Sequence, residues 1–380
     1  MKRSDERILT SHSGSLYLPP PHEGGTSTAP PKEPAELRRA VETIVAKQIE
    51  VGLDVINNGD VNTGISSTMA LSELLNGIET IPLDADHPRF ARGMPDRDME
   101  IYHEYYQARA AHTPPRLDDA TNYTKVVTGP VSSKSTAGLE RDVQTLKDAA
   151  QGKDADDLFV CFISPGWARN ISWNEHYATD EEEYFAIAAA LRPFYKAIVD
   201  AGVIVQIDAP DLVDTWTLDR WDDVAGYRKN LEMKVEALNT AIEGLPEELV
   251  RLHFCWGSWA GPHSGALPLE HVLDIIYRVR AQCYSLEAAK PNHTHEWRVF
   301  EDHKLPEGKI VMPGVIDHTT PVIEHPQVIS DRLVQYAKLV GKENVIAGTD
   351  CGMRIDSRVE WSKLQAMVDG AELATNQLFS

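Results

Sequence analysis

Nine times along the 380 residues a short apolar run stops abruptly at glycine, proline, aspartate or histidine. That recurrence limits the fold more than any single motif does. The runs are 8–16, 53–60, 125–131, 158–167, 203–211, 251–257, 283–288, 310–317 and 344–352. Continuous apolar stretches of this length suit strands buried on both faces, as in a parallel sheet. Between them lie amphipathic helix candidates at 35–52, 182–202, 227–245, 269–282 and 326–341, the last opening with proline and closing with glycine. Strand–helix alternation along the whole chain predicts an α/β fold. At this length it fits one large (β/α)8 barrel spanning 1–380. Nine strands are one too many for that barrel, and the pattern does not say which is surplus. Residues 19–34, rich in Pro, Gly and Thr, read as a loop excursion. Residues 81–123 read as an inserted cap with a helix near 97–112.

The polar residues cluster at strand ends. Gly14-Ser15, Gly59-Asp60, Asp208, His253, Cys255, Glu287, Asp317 and Asp350-Cys351 all fall where a predicted strand stops. In a barrel, carboxyl ends converge on the face where active sites are built. Charge narrows the partners. A net charge of −21 argues against nucleic acid and against an anionic membrane surface, both of which need clustered cations. No run approaches the ~18 apolar residues of a membrane span. The opening MKRSDERILTSHSG lacks a signal-peptide core, and four cysteines are too few for a disulfide scaffold. A cytoplasmic enzyme acting on small molecules is the expectation, with the subunit count left open.

The stretch RLHFCWGSW places His253 and Cys255 on one side of a strand, because side chains alternate with a period of two. Cys351 follows a second strand in AGTDCGM, and Glu287 ends a third in YSLEAA. Two thiolates, one imidazole and one carboxylate would complete a tetrahedral zinc site. The competing reading is packing, since buried cysteine behaves as a small hydrophobe. Cys161 and Cys283 are assigned to packing. His12, His263, His293 and His295 are expected to be solvated, and Asp350 to orient its own turn or a residue that supports the ligands. Trp256 and Trp259 flank the ligand strand, where they either line the pocket or pack against helices.

HFC, a downstream Glu and DCG together resemble the zinc signature of the cobalamin-independent methionine synthase family. Gly14-Ser15, QIDAPDL (206–212) and PGVID (313–317) resemble three further segments of that family, in the same order. The resemblance covers most of the chain, at the length of the family's catalytic half. It implies a TIM barrel of the methionine synthase/uroporphyrinogen decarboxylase-like type. It also implies Zn²⁺ held by His253, Cys255, Glu287 and Cys351, with Ser15, Asp60 and Asp208 holding the amino-acid part of homocysteine. The implied activity is zinc-dependent transfer of an alkyl group, methyl first, to a substrate thiol that enters the metal's coordination sphere, with Glu287 as the ligand that yields to it.

Three positions depart from the family pattern. Asp60 stands where glutamate is usual, His318 follows Asp317 directly instead of one position later, and Trp167 and Trp173 both lie near the expected folate-stacking tryptophan. The epoxyalkane:coenzyme M transferases are similar in length and in zinc chemistry. Their sulfonate thiol calls for a cationic pocket, for which Arg169 or Arg354 is available. A zinc hydrolase is the next alternative, and two cysteine ligands count against it.

Overall fold

Eight of the nine apolar runs become the staves of one closed ring. In the computed structural model, residues 1–19, 33–61, 71–82, 97–112, 123–258, 260–353 and 355–380 are described. The ring strands are β1 (Leu9–Thr10), β2 (Val55–Ile56), β5 (Asp157–Ile163), β7 (Ile204–Asp208), β8 (Val250–Phe254), β9 (Cys283–Leu286), β10 (Ile310–Pro313) and β11 (Ile346–Ala347). Six pair in parallel in the order β10-β9-β8-β7-β5-β2, and β1 pairs in parallel with β11. Parallel bridges Val311–Val345 and Gly314–Gly348 join β10 to the β11 segment. Between β1 and β2, the Asp54 N–H donates to Thr10 O at 3.1 Å. The expected TIM-type barrel is therefore present. Every residue of β8, β9 and β10 is buried, which is why these runs carry no polar alternation.

The surplus run is 125–131. It belongs to β4 (Tyr123–Ser133), which pairs antiparallel with β3 (Leu75–Pro82) and parallel with β6 (Ser172–Asn174) in a separate three-stranded sheet. Thr128 and Pro130 of β4 are exposed, a half-solvated pattern that no barrel stave shows. This side sheet is tied to the barrel's helical layer: the Ser133 hydroxyl donates to Ala190 O, and the Val131 N–H donates to the Tyr177 hydroxyl.

Helices form at Pro34–Val51, Asp180–Asp200, Val224–Ala241 and Pro326–Val340, close to the expected bounds. The 269–282 expectation is corrected: only the turns Leu269–His271 and Leu273–Ile276 are helical. Leu269, Val272, Leu273, Ile275, Ile276 and Val279 are all buried, more faces than one amphipathic helix would hide. Helices Ala137–Ala150 and Ser357–Leu378 were not anticipated. Of the excursion at 19–34, residues 20–32 lie outside the described residues. Within 81–123, the helices Arg97–Ile101 and His103–His112 form as expected. Asp98 accepts from the Ser264 N–H and hydroxyl, laying this insertion against the loop that follows β8. Among the described residues no helix is long and apolar enough to cross a membrane.

Candidate active site

The carboxyl ends of β8 and β11 bring His253, Cys255 and Cys351 together. One ligand atom from each lies within 4.8 Å of the others. The two sulfurs are 3.8 Å apart and both cysteines are free thiols. Two sulfurs each about 2.3 Å from a common tetrahedral zinc would stand about 3.8 Å apart. The donor spacing fits the ion.

Polar relays set the imidazole for the same task. His253 Nδ1 lies 2.9 Å from Ser285 Oγ, which lies 3.3 Å from Ser13 Oγ, and the Ser13 hydroxyl donates to Thr349 O at 2.8 Å. Assigned with the donors running down this chain, Nδ1 carries the proton and Nε2 the lone pair. That Nε2 is buried and faces the Cys351 thiol. Ser285 and Ser13 were missed in the sequence, where a strand serine carries no spacing signal.

The two thiols share one hydrogen bond. Their shared hydrogen bond, helped by His253, draws Cys351 well below the usual thiol range, and the same bond together with burial pushes Cys255 up. The Ser258 hydroxyl also donates to Cys351 Sγ at 3.2 Å.

Glu287 is fully buried beside this cluster but not inside the three-donor group. Its Oε1 accepts from Lys290 Nζ at 3.2 Å, while Oε2 has no hydrogen-bond partner. Burial, more than Lys290 offsets, pushes its carboxyl well above the carboxylate range, a cost that a divalent cation in the site would reverse. Lys290 itself is buried. Burial alone would lower its ammonium, yet Glu287 and Asp350 outweigh that and hold it above the ordinary lysine value.

Asp350 braces the loop after β9. Its Oδ1 accepts from the Ala288 and Ala289 N–H groups at 2.7 and 2.8 Å, and Oδ2 from the Lys290 N–H at 2.9 Å. The expectation that Asp350 orients its surroundings holds, although the turn it orients is the one carrying Glu287. A Cβ at Gly314 would overlap Asp350 Oδ1 and its backbone. Gly314→Ala is therefore expected to destabilise the fold by about 1–3 kcal/mol, read as a lowered midpoint in chemical unfolding. An unchanged midpoint would mean that the brace yields freely.

Beside this cluster, on neighbouring staves, the structure brings Ser15, Asp60 and Asp208 together. The Ser15 hydroxyl donates to Asp60 Oδ2 at 2.9 Å, and Ser15 O accepts from the Met353 N–H just past Cys351. Asp60 holds a left-handed backbone, φ 53°, which Asp tolerates better than most residues. Asp208 pairs in register with His253 across β7 and β8, and its Oδ1 accepts from Gln206 Nε2 at 2.8 Å. Burial, with a smaller push from Asp60, raises the Asp208 carboxyl to about 7. Gly14, at φ 124°, leaves no room for a Cβ between Cys161 Sγ and Asp60 Oδ2.

Several expectations are corrected. His12, His263 and His293 are buried rather than solvated, and only His295 is exposed. His12 spans Gly14 O and Gln48 Oε1, and burial lowers it to about 4. His293 pairs with Glu296 and stacks on Trp256, whose Nε1 donates to Leu267 O, so Trp256 is a packing residue. His318 lies with Asp317 and Asp350, one donor atom from each within 4.8 Å of the others. Neither of its ring nitrogens has a hydrogen-bond partner, and burial lowers it to about 4. It is neutral at pH 7 and carries no imidazolium proton to give. Arg169 is turned onto Asp180 at 2.6 Å and Glu183 at 3.3 Å. Trp259 and Arg354 lie outside the described residues.

The family described as cobalamin-independent synthase, catalytic domain, matches residues 165–373, a stretch containing Asp208, His253, Cys255, Glu287 and Cys351 but not Ser15 or Asp60. Methionine synthase of Saccharolobus islandicus (strain L.S.2.15 / Lassen #1) is 26% identical over 227 residues, 59% of this chain and 60% of the relative. The Thermococcus kodakarensis methionine synthase is 26% identical over 209 residues, 54% of each chain. The chain thus matches less than two thirds of the length of these curated relatives. A B12-independent methionine synthase from Shewanella sp. W3-18-1, solved with selenomethionine, superposes with a TM-score of 0.69 at 22% identity, covering 98% of this chain and 99% of that one. That likeness speaks for the fold. The family match spans more than half of the chain, and the protein belongs to the cobalamin-independent synthase catalytic-domain family.

Proposed function

We propose that this protein transfers an alkyl group, methyl first, to the sulfur of an amino thiol such as homocysteine, using zinc held by His253, Cys255 and Cys351. The observation that carries this reading is the meeting of a two-sulfur, one-imidazole donor set with the paired carboxylates Asp60 and Asp208 at one barrel mouth. The family's relatives called methionine synthase support the same reaction class.

Bound there, zinc would supply the Lewis acidity that brings an incoming thiol of pKa about 8.5 to its nucleophilic thiolate form at neutral pH. The chain's own residues do the rest. Ser285 fixes the His253 tautomer, which keeps Nε2 available as a donor. Cys255 and Cys351 contribute two thiolates, so the site stays electron-rich and the acceptor sulfur keeps its reactivity. Asp208 and Asp60 offer two carboxylates to the acceptor's ammonium, with Ser15 holding Asp60 in place. An ammonium beside Asp208 favours its ionised form, bringing it below the value of about 7 that burial imposes. The buried Glu287 and the neutral His318 complete the wall around the reacting atoms.

The paired acids favour this reading over sulfonate-thiol chemistry, in which coenzyme M would meet two carboxylates while Arg169 pairs with Asp180 and Glu183. The test is calorimetric titration of the zinc-loaded protein with homocysteine and, separately, with coenzyme M, in buffers of differing ionisation enthalpy. Homocysteine is expected to bind with release of about one proton per site near pH 7.5, and coenzyme M more weakly. Binding of coenzyme M alone, or of neither thiol, would overturn the proposal.

A further inference from the structure

Lys290 touches all three loops that carry the candidate ligands. Its Nζ donates to Gly257 O at 2.7 Å, two residues past Cys255. The same Nζ donates to Glu287 Oε1 at 3.2 Å. Its backbone N–H donates to Asp350 Oδ2 at 2.9 Å, next to Cys351. The residue is 3% exposed, so the position of its ammonium is set by these partners rather than by solvent. Glu287, its ion-pair partner, is fully buried and lies outside the group of three donors whose ligand atoms stand within 4.8 Å of one another. A buried carboxylate beside a dication would ordinarily become its ligand. Here a buried cation competes for it.

We propose that Lys290 is a positioning residue that pairs with the Glu287 carboxylate beside the His253–Cys255–Cys351 cluster and sets how readily that carboxylate yields its place on the ion to the acceptor thiol. This rests on the zinc-thiol reading above and deepens it. Glu287 has two places to rest, Lys290 and the ion, and the ammonium sets the balance between them. Because Lys290 is also tied to Gly257 O, that balance is anchored to the Cys255 loop.

Removing the charge has a direction that a merely structural role does not predict. In Lys290→Met the Glu287 carboxylate keeps only the ion as partner. The metal is then held more tightly, while the thiol must displace a ligand that has nowhere else to go. The experiment loads the purified protein with Co²⁺ and reads two quantities: metal affinity by chelator competition, and homocysteine affinity from the sulfur-to-cobalt charge-transfer absorption. Lys290→Met is expected to bind Co²⁺ at least as tightly as the parent and homocysteine about tenfold more weakly, in line with the 10–100-fold effects of outer-sphere partners. Lys290→Arg should restore thiol affinity. In a Glu287→Gln background, Lys290→Met should add nothing, since the two residues act on one equilibrium.

A Lys290→Met protein that loses metal and thiol affinity together would overturn the proposal, as would an effect that persists in Glu287→Gln. If Lys290→Met does not fold, the Lys290→Arg and Glu287→Gln proteins still decide: arginine must match the parent, and Glu287→Gln must keep thiol affinity. If the parent Co²⁺ protein shows no thiol absorption at all, the underlying zinc-thiol reading fails instead, so the two failures are distinguishable.

Discussion

Substituting serine for Cys255 is expected to lower zinc affinity by at least about a hundredfold and to abolish thiol binding, with the barrel still folded. Cys255 supplies one of two sulfurs to a three-donor cluster, and a serine hydroxyl stays protonated where a thiol gives up its proton to the metal. Outer-sphere changes alone cost 10–100-fold in metal affinity, so loss of a direct donor sets a higher floor. The change is nearly isosteric, and Cys255 lies beyond the end of its strand, so packing is little altered. Metal content after dialysis against a graded series of chelators measures the effect. A variant that keeps stoichiometric zinc and parental thiol affinity would remove Cys255 from the site.

Asp208→Asn should leave zinc binding close to that of the parent and raise the homocysteine dissociation constant roughly 30-fold or more. The carboxylate is buried beside His253, and truncating one partner of a buried charged hydrogen bond costs about 2–5 kcal/mol. Coenzyme M, which has no ammonium, should lose nothing. The parent's pH dependence follows from the same group. Asp208 sits near 7 in the free site, and only its ionised form attracts an ammonium, so amino-thiol affinity should weaken as the pH falls below about 7. In Asp208→Asn that part of the pH dependence should disappear. Titrations of both thiols from pH 6 to 8 read both outcomes. Equal loss for the two thiols would point to distortion of the pocket rather than to recognition of the amine.

The barrel was legible because its staves are buried on both faces, which writes each as an uninterrupted apolar run ending in a functional residue. That pattern marks all eight ring runs, with one run too many, and puts His253, Cys255 and Cys351 at strand ends that meet. The ninth run misled because Lys125–Val131 is as apolar as a stave. Only the exposure of Thr128 and Pro130 marks it as half-solvated, and exposure is a tertiary property. The 269–282 helix failed for the converse reason, its apolar residues being buried on every side.

At the site, sequence spacing found the metal donors but not what holds them. Ser285 and Ser13 act through hydrogen bonds between residues 272 apart, and Lys290 through contacts that exist only once three loops meet. The histidines show the same limit. His12 and His293 look like solvated loop residues until Gln48 and Trp256 close over them.

The central claim is that an acceptor thiol becomes reactive by joining the sulfur and imidazole donors at this barrel mouth. The most direct measurement is zinc-edge X-ray absorption on the zinc-loaded protein before and after homocysteine is added. The account predicts two sulfur neighbours in the resting protein and three after addition, at about 2.3 Å. A sulfur count unchanged by saturating homocysteine, or a fully folded protein that takes up no zinc, would contradict it.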